Sequence, residues 1–206
     1  VCVGRWALLR GPAGGGDSTK GGVNALNNIT HLAHAKILAN QLDSVDYLLR
    51  ISESIRFDGA YKSFTLQIRS LYDMKRGAFK EADSLLRKCW QLVNQYQINE
   101  NSGAGTVQPD YYLALLRIEQ KKYNEAIALL LKDVIRVKPL RESVLKDYKL
   151  LAELYERTGD NEKAKEYYKY FINLKDSILT DQSKYRNISF ETEQQILVFE
   201  CVCRVR

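Results

Sequence analysis

The sequence predicts an all-α protein, a right-handed superhelix of stacked antiparallel helix hairpins, on three observations. The stretch Thr158-Gly159-Asp160-Asn161-Glu162-Lys163-Ala164 is typical of the turn and second-helix start in a hairpin repeat of about 34 residues. Weaker copies occupy residues 121–126 and 76–82. Between them apolar residues recur at spacings of three and four, and 206 residues contain only 3 prolines, so helix breakers are rare.

Composition divides the chain into a leader, a repeat domain and a tail. Residues 1–24 carry most of the 12 glycines and predict a flexible leader, a candidate for vector-derived sequence. Residues 25–176 form the predicted repeat domain, and residues 177–206 a helical connector with an irregular tail. The predicted hairpins cover about 25–57, 60–97, 109–138 and 143–175, the first of them degenerate and with its turn at 42–44.

Small residues are predicted where paired helices cross, because two helices approach closely only around a small side chain. These residues are Ala82, Ala126 and Ala164 in the second helices, and Ala114 and Ala152 in the first helices. The turn before each second helix needs left-handed backbone, which Gly77 and Gly159 adopt readily. Lys121 occupies the same position as a strained substitute.

The charge pattern keeps one alternative function open. The net charge of +6 suits an acidic partner, so a basic nucleic-acid-binding repeat protein is the second hypothesis. The 31 basic and 25 acidic residues are interleaved, however, as on a solvated helical surface. The sequence contains no run of about 18 apolar residues, so it predicts no membrane helix. The compartment, cytoplasmic or periplasmic, and the oligomeric state are left open by the sequence.

No metal or cofactor site is predicted. His31 and His34 lie at i and i+3 without a third ligand, which favours surface histidines. Cys89 falls on an apolar helical face and is predicted to be a core residue. The remaining cysteines, Cys2, Cys201 and Cys203, indicate neither a disulfide framework nor a complete metal site.

No catalytic residue is predicted either. In the glycine-rich stretch 11–22, Asp17 stands where a phosphate-binding loop requires a lysine. Glu153 and Glu156 have helical spacing and are typical of a solvated face. An enzyme with a site in the amino-terminal part remains as a third hypothesis.

The chain resembles the tetratricopeptide repeat family over about residues 60–176. The residues on the signature positions of that family are Tyr148, Leu151, Ala152, Tyr155, Gly159, Ala164 and Tyr168. Asp176 stands near the final proline of the signature, and Arg117 replaces an aromatic residue in the preceding repeat. The resemblance implies a non-catalytic protein-binding scaffold.

A narrower resemblance concerns the end of the repeat region. Residues 167–178 look like the last repeat of sensor and regulatory proteins of Bacteroidetes-type bacteria, and Phe190-Glu191-Thr192-Glu193-Gln194-Gln195 resembles their helical connector. This resemblance implies the sensory or regulatory region of a bacterial signalling protein.

The family resemblance also implies a partner-binding groove, lined by the first helix of each hairpin. The residues on the groove positions are Tyr111, Tyr112, Leu115, Glu119, Lys146, Lys149, Glu153 and Arg157. Lys149 matches one lysine of the carboxylate-clamp members of the family, but Glu153 replaces the asparagine that such a clamp needs. The mixed apolar and charged groove therefore predicts an extended or helical peptide, or a protein, as partner.

Overall fold

The computed structural model describes the backbone of residues 18–55, 59–98, 101–102 and 105–204, and the side chains of 24–55, 59–98 and 105–186. This part of the chain is all-α, as predicted. Its helices are α1 (Ser18–Leu38), α2 (Val45–Ser54), α3 (Ala60–Lys75), α4 (Phe79–Tyr96), α5 (Pro109–Glu119), α6 (Tyr123–Arg136), α7 (Arg141–Thr158) and α8 (Asn161–Arg204). A two-residue antiparallel ladder joins β1 (Asn101–Ser102) to β2 (Gly105–Thr106).

The chain forms two compact units, Val1–Lys122 and Tyr123–Arg206. In the first unit α1 pairs with α2 and α3 with α4, while α3 also contacts α1, α2 and α5. In the second unit α7 packs against both α6 and α8. The helix pairs α1–α2, α3–α4 and α7–α8 thus occupy three of the four predicted hairpin ranges. The helices of the predicted hairpin 109–138 belong to different units.

Four connections, α1–α2, α3–α4, α5–α6 and α7–α8, share one turn geometry. Asn40, Gly77, Lys121 and Gly159 have positive φ angles of 57°, 76°, 59° and 86°. At Gly77 the N–H donates to the Met74 carbonyl at 3.0 Å, and the next N–H donates to the Asp73 carbonyl at 2.9 Å. The same two bonds recur at the other three turns and satisfy carbonyls at the helix end. The left-handed positions of Gly77, Lys121 and Gly159 are therefore confirmed.

Small or short side chains are buried at fixed distances from these left-handed residues. Seven residues before them lie Ala33, Ser70, Ala114 and Ala152, and five residues after them lie Val45, Ala82, Ala126 and Ala164. All eight are at most 5% exposed, which confirms the predicted alanines as core residues. The first hairpin follows the same scheme, with its left-handed residue at Asn40. The predicted turn at 42–44 is also present, since the Val45 N–H donates to the Leu42 carbonyl at 3.1 Å and Ser44 precedes α2 as its N-cap. In this hairpin Asn40 takes the position of the glycine in the sequence pattern, and Val45 takes the position of the alanine.

Ala164→Leu is expected to lower the free energy of unfolding by roughly 1–3 kcal/mol, because the extra methyl groups overpack a tight site. Ala164 is 5% exposed at the start of α8. Chemical denaturation followed by circular dichroism measures the change. Lys165→Leu, on an exposed neighbour in the same helix, is the control. Equal stability of the two variants would contradict the placement of Ala164 at a crossing.

The ends of the described chain differ from the sequence-based expectation. The helix α1 begins at Ser18, so the last residues of the predicted leader are helical, whereas residues 1–17 lie outside the described part. The helix α8 continues through Arg204 in place of an irregular tail from Cys201. Because residues 161–204 contain neither proline nor glycine, nothing local ends this helix. None of the helices among the described residues combines the length and apolar character that crossing a membrane requires.

Candidate functional site

Side chains of α1, α3 and α5 contact one another in the first unit, and we call this cluster the α1–α3–α5 face. Its residues are His31, His34, Phe64, Gln67 and Tyr112. In α3, 11 of 16 residues are buried, so a polar side chain on this helix needs an internal partner. Gln67, at 1% exposure, is such a residue.

Gln67 holds the backbone of the segment that precedes α5. Its Nε2 donates to the Thr106 carbonyl at 3.0 Å, and the Gln108 backbone N–H donates to its Oε1 at 2.7 Å. Val107 lies between these two peptide groups and is 1% exposed. The amide thus binds main-chain atoms while an aliphatic side chain is buried beside it.

Gly105 brings this segment into direct contact with two aromatic rings. Its φ angle of +123° is one that residues with a Cβ rarely adopt. A Cβ at this position would lie 2.9 Å from the Phe64 ring and 3.3 Å from the His31 ring. The His31 and Phe64 rings are themselves 4.9 Å apart and tilted by 45°. Only glycine fits here without displacing a neighbour.

The two histidines contribute to this packing. His31 is exposed, as predicted, but its ring lies against Phe64. His34 is half-buried, and its Nε2 lies 3.5 Å from the Tyr112 hydroxyl. The sequence did not indicate either contact, because the partners are 33 and 78 residues away in the chain.

Tyr112 was predicted to line the partner-binding groove, and the structure places it in the core instead. It is 8% exposed, and burial raises the pKa of its hydroxyl well above the usual value. Its ring meets the Tyr111 ring edge-on, with centroids 5.5 Å apart. Because α5 packs against both α3 and α4, this side of the helix is covered.

The other predicted groove residues of α5 differ in exposure. Tyr111 and Leu115 are half-buried against the hydrophobic core of the first unit. Glu119 is exposed at the end of the helix. Leu115 and Tyr111 therefore offer only part of their surface to a partner, and Glu119 offers its carboxylate.

The predicted groove residues of α7 form an accessible charged row in the second unit. Lys146, Lys149 and Arg157 are exposed, and Glu153 is half-buried. The Lys149 Nζ lies 3.8 Å from the Glu153 Oε1, and the Arg157 guanidinium lies 6.0 Å from the centre of the Tyr123 ring. Such solvated contacts are weak, so these side chains can exchange them for a partner.

An apolar cleft in the second unit was missed by sequence reasoning. It has a volume of about 440 Å³ and is lined by Val134, Ile135, Lys138, Arg141, Val144, Tyr148 and Leu174. Ile135 has helical spacing with the apolar residues of α6, yet it is 77% exposed. The ring centre of Tyr148, which lines the cleft, lies 6.0 Å from that of Tyr167 and 5.6 Å from that of Tyr170. Burial raises the pKa of Tyr167 to about 12.

A second cleft, in the first unit, is charged. Arg69 lies at its centre, with Nη1 3.1 Å from Asp46 and 3.8 Å from Glu53, and with Nε 3.8 Å from Asp73. Partial burial raises the pKa of both Glu53 and Asp73. The cleft measures about 560 Å³, and Lys80 and Glu81 on its wall continue the alternation of charge. Balanced charges of this kind favour a solvated ion-pair network over a site for one type of ion.

A buried carboxylate pair lies between α6 and α7. Asp133 and Asp147 are each 0% exposed. The Arg136 Nη2 donates to the Asp133 Oδ1 at 2.7 Å. Burial, followed by the Asp133 charge, raises the pKa of Asp147 from its ordinary 3.8 to about 8. At neutral pH this pair therefore holds one proton and one negative charge, and Arg136 balances the charge.

The described residues provide no group of three or more His, Cys, Asp or Glu side chains arranged to hold a metal ion. Cys89 is fully buried, as predicted, and its thiol donates to the Ser63 carbonyl at 3.3 Å. The side chains of Cys2, Cys201 and Cys203, and of the connector phrase 190–195, lie outside the described set.

No protein-family model, curated protein or solved structure matches this chain. The resemblance to tetratricopeptide repeats stays a prediction. Function is therefore argued below from the geometry of the described residues.

Proposed function

We propose that the protein is a non-catalytic helical-repeat scaffold of the tetratricopeptide class, whose hairpins stack into a right-handed superhelix. In this proposal it binds a peptide or protein partner through its first helices and serves as the sensory or regulatory repeat region of a bacterial signalling protein. The repeated turn scheme carries the proposal. Four turns share a left-handed residue, one pair of hydrogen bonds and short buried residues at the same distances. Repeats of this kind present extended surfaces for other proteins.

Helix contacts inside the first unit also support the proposal. Each first helix contacts the next first helix, as α1 does α3 and α3 does α5. Each second helix contacts the following first helix, as α2 does α3 and α4 does α5. In this order α1 and α5 both lie next to α3, and the segment Gly105–Gln108 contacts side chains of α1 and α3.

Most of the fully exposed side chains of the predicted groove lie in the α7 row, and Glu119 of α5 is exposed as well. Lys146 and Lys149 are one turn apart and both exposed, whereas Tyr112 is covered. An acidic or mixed peptide segment matches this row, because exposed charges guide association and select partners.

Charge reversal on α7 tests the proposal. Lys146→Glu/Lys149→Glu is expected to reduce recovery of the partner about tenfold in affinity purification with quantitative mass spectrometry, since like charges then face each other. The matched control is Lys88→Glu/Lys132→Glu, which makes the same charge change on exposed residues of α4 and α6. The control should recover the partner as the unmodified chain does.

Two outcomes would count against this assignment. Identical protein sets from the unmodified chain and both variants would remove α7 as the binding surface. Loss of all recovered proteins after nuclease treatment, with steep salt dependence, would favour the nucleic-acid hypothesis instead.

A further inference from the structure

The α4–α5 connection is unusually long for a link between hairpins. It comprises twelve residues, 97–108, whereas the α2–α3 and α6–α7 connections comprise five and four. Its last part, Gly105–Gln108, lies on the α1–α3–α5 face and is held there by Gln67. The extra length therefore allows the chain to cover a surface that short connections would leave open.

The contacts of this segment are those that a bound peptide would make. One side-chain amide satisfies a backbone acceptor and a backbone donor on either side of Val107. The Val107 side chain is 1% exposed, and a Cβ on Gly105 would lie 2.9 Å from the Phe64 ring. A main-chain clamp with a pocket for one side chain is how proteins recognise extended peptides with limited sequence preference.

We propose that Gly105–Gln108 is an internal ligand that closes the α1–α3–α5 face, and that an extended segment of a partner protein replaces it. The replacing segment has glycine two residues before a β-branched aliphatic residue, because Phe64 excludes a Cβ at the first position and the Val107 pocket accepts the second. This inference rests on the proposed function, since it names the ligand class and the regulation of a first-helix surface.

The anchoring of α5 allows this exchange without unfolding the unit. The Trp90 Nε1 donates to the Asp110 Oδ1 at 3.1 Å, directly after Pro109. Release of Gly105–Gln108 thus leaves the start of α5 held on α4. The internal segment competes at the high effective concentration of a short tether, so a free peptide binds the resting chain weakly.

Displacing the internal segment tests the inference. Gly105→Val puts a Cβ into the Phe64 ring at a left-handed φ angle and should expel the segment. A fluorescein-labelled peptide with the sequence of residues 105–109 should then bind about tenfold tighter to Gly105→Val than to the unmodified chain, measured by fluorescence anisotropy. Adding Gln67→Leu should weaken that binding about tenfold, and a peptide with Asp in place of Val107 should bind as weakly.

Helix content of each variant is checked by circular dichroism. Equal affinity of the unmodified chain and a folded Gly105→Val variant overturns the inference. Hydrogen exchange on the unmodified chain decides the question if that variant does not fold. The Gln108 amide should exchange at least about tenfold faster than the amides of Ser63 to Asp73 in α3. Equal exchange rates of the Gln108 amide and the α3 amides would mean that the segment belongs to the core, and would overturn the proposal. The charge-reversal experiment on α7 tests the scaffold function separately.

Discussion

Arg136→Met is expected to lower the free energy of unfolding of the second unit by about 3–5 kcal/mol at neutral pH, because it leaves a buried negative charge without its cation. Asp133 and Asp147 are both 0% exposed and together hold one charge at this pH. The bond from Arg136 to Asp133 is 2.7 Å long. Methionine preserves the aliphatic volume of the arginine, so the change removes mainly the charge. The effect is measured by chemical denaturation, with hydrogen exchange of the α6 and α7 amides as the readout for this unit.

Arg141→Met is the matched control. Arg141 pairs with Asp181 at 2.5 Å, but both side chains are 42% exposed, so this change should cost about 0–1 kcal/mol. Asp133→Asn added to Arg136→Met should restore most of the lost stability, since the buried charge is then gone. Similar losses for Arg136→Met and Arg141→Met would show that the carboxylate pair carries no buried charge.

The stability of the second unit is expected to fall as the pH rises from 4 towards 9. Asp147 has a pKa of about 8 in the folded chain and an ordinary value of 3.8, so between these values the folded state binds more protons than the unfolded state. The contribution of Asp147 to the free energy of unfolding is complete below pH 3.8. It is lost as the pH rises through the folded pKa of about 8. At about 1.4 kcal/mol per pKa unit, the loss is on the order of 5 kcal/mol.

Asp147→Asn isolates this effect from the other titrating groups. Asparagine has the shape of aspartate but stays neutral, so this variant should lose little stability over the same pH range. Hydrogen exchange of α6 and α7 amides at pH 5, 7 and 9 compares the two proteins. Parallel pH profiles for Asp147→Asn and the unmodified chain would mean that Asp147 ionises normally.

The turns were the most predictable part of the fold. A left-handed residue followed five positions later by a small one is a local requirement, and Gly77, Lys121 and Gly159 meet it in the structure. Asn40 meets the same requirement with a φ of 57°, but asparagine is also common in ordinary loops, so the pattern passed over it.

The candidate site was less predictable, because exposure depends on neighbours that are distant in sequence. Tyr112 and Lys149 are both predicted groove residues, yet only Lys149 is exposed. The covering of Tyr112 comes from α3 and α4, and its hydroxyl meets His34 of α1. Ile135 is the opposite case, an apolar residue with helical spacing that no described neighbour buries.

By itself, the sequence determined the helical class, three of the four left-handed turn residues and the buried alanines around them. These depend on backbone conformation and side-chain size within a few residues. Only the tertiary structure decided that Gln67 clamps the segment before α5 and that Asp133 and Asp147 share one buried site. Gln67 is 39 and 41 residues from its two backbone partners, and Asp133 is 14 residues from Asp147. No local sequence pattern encodes the burial and desolvation that give these groups their hydrogen bonds and shifted pKa.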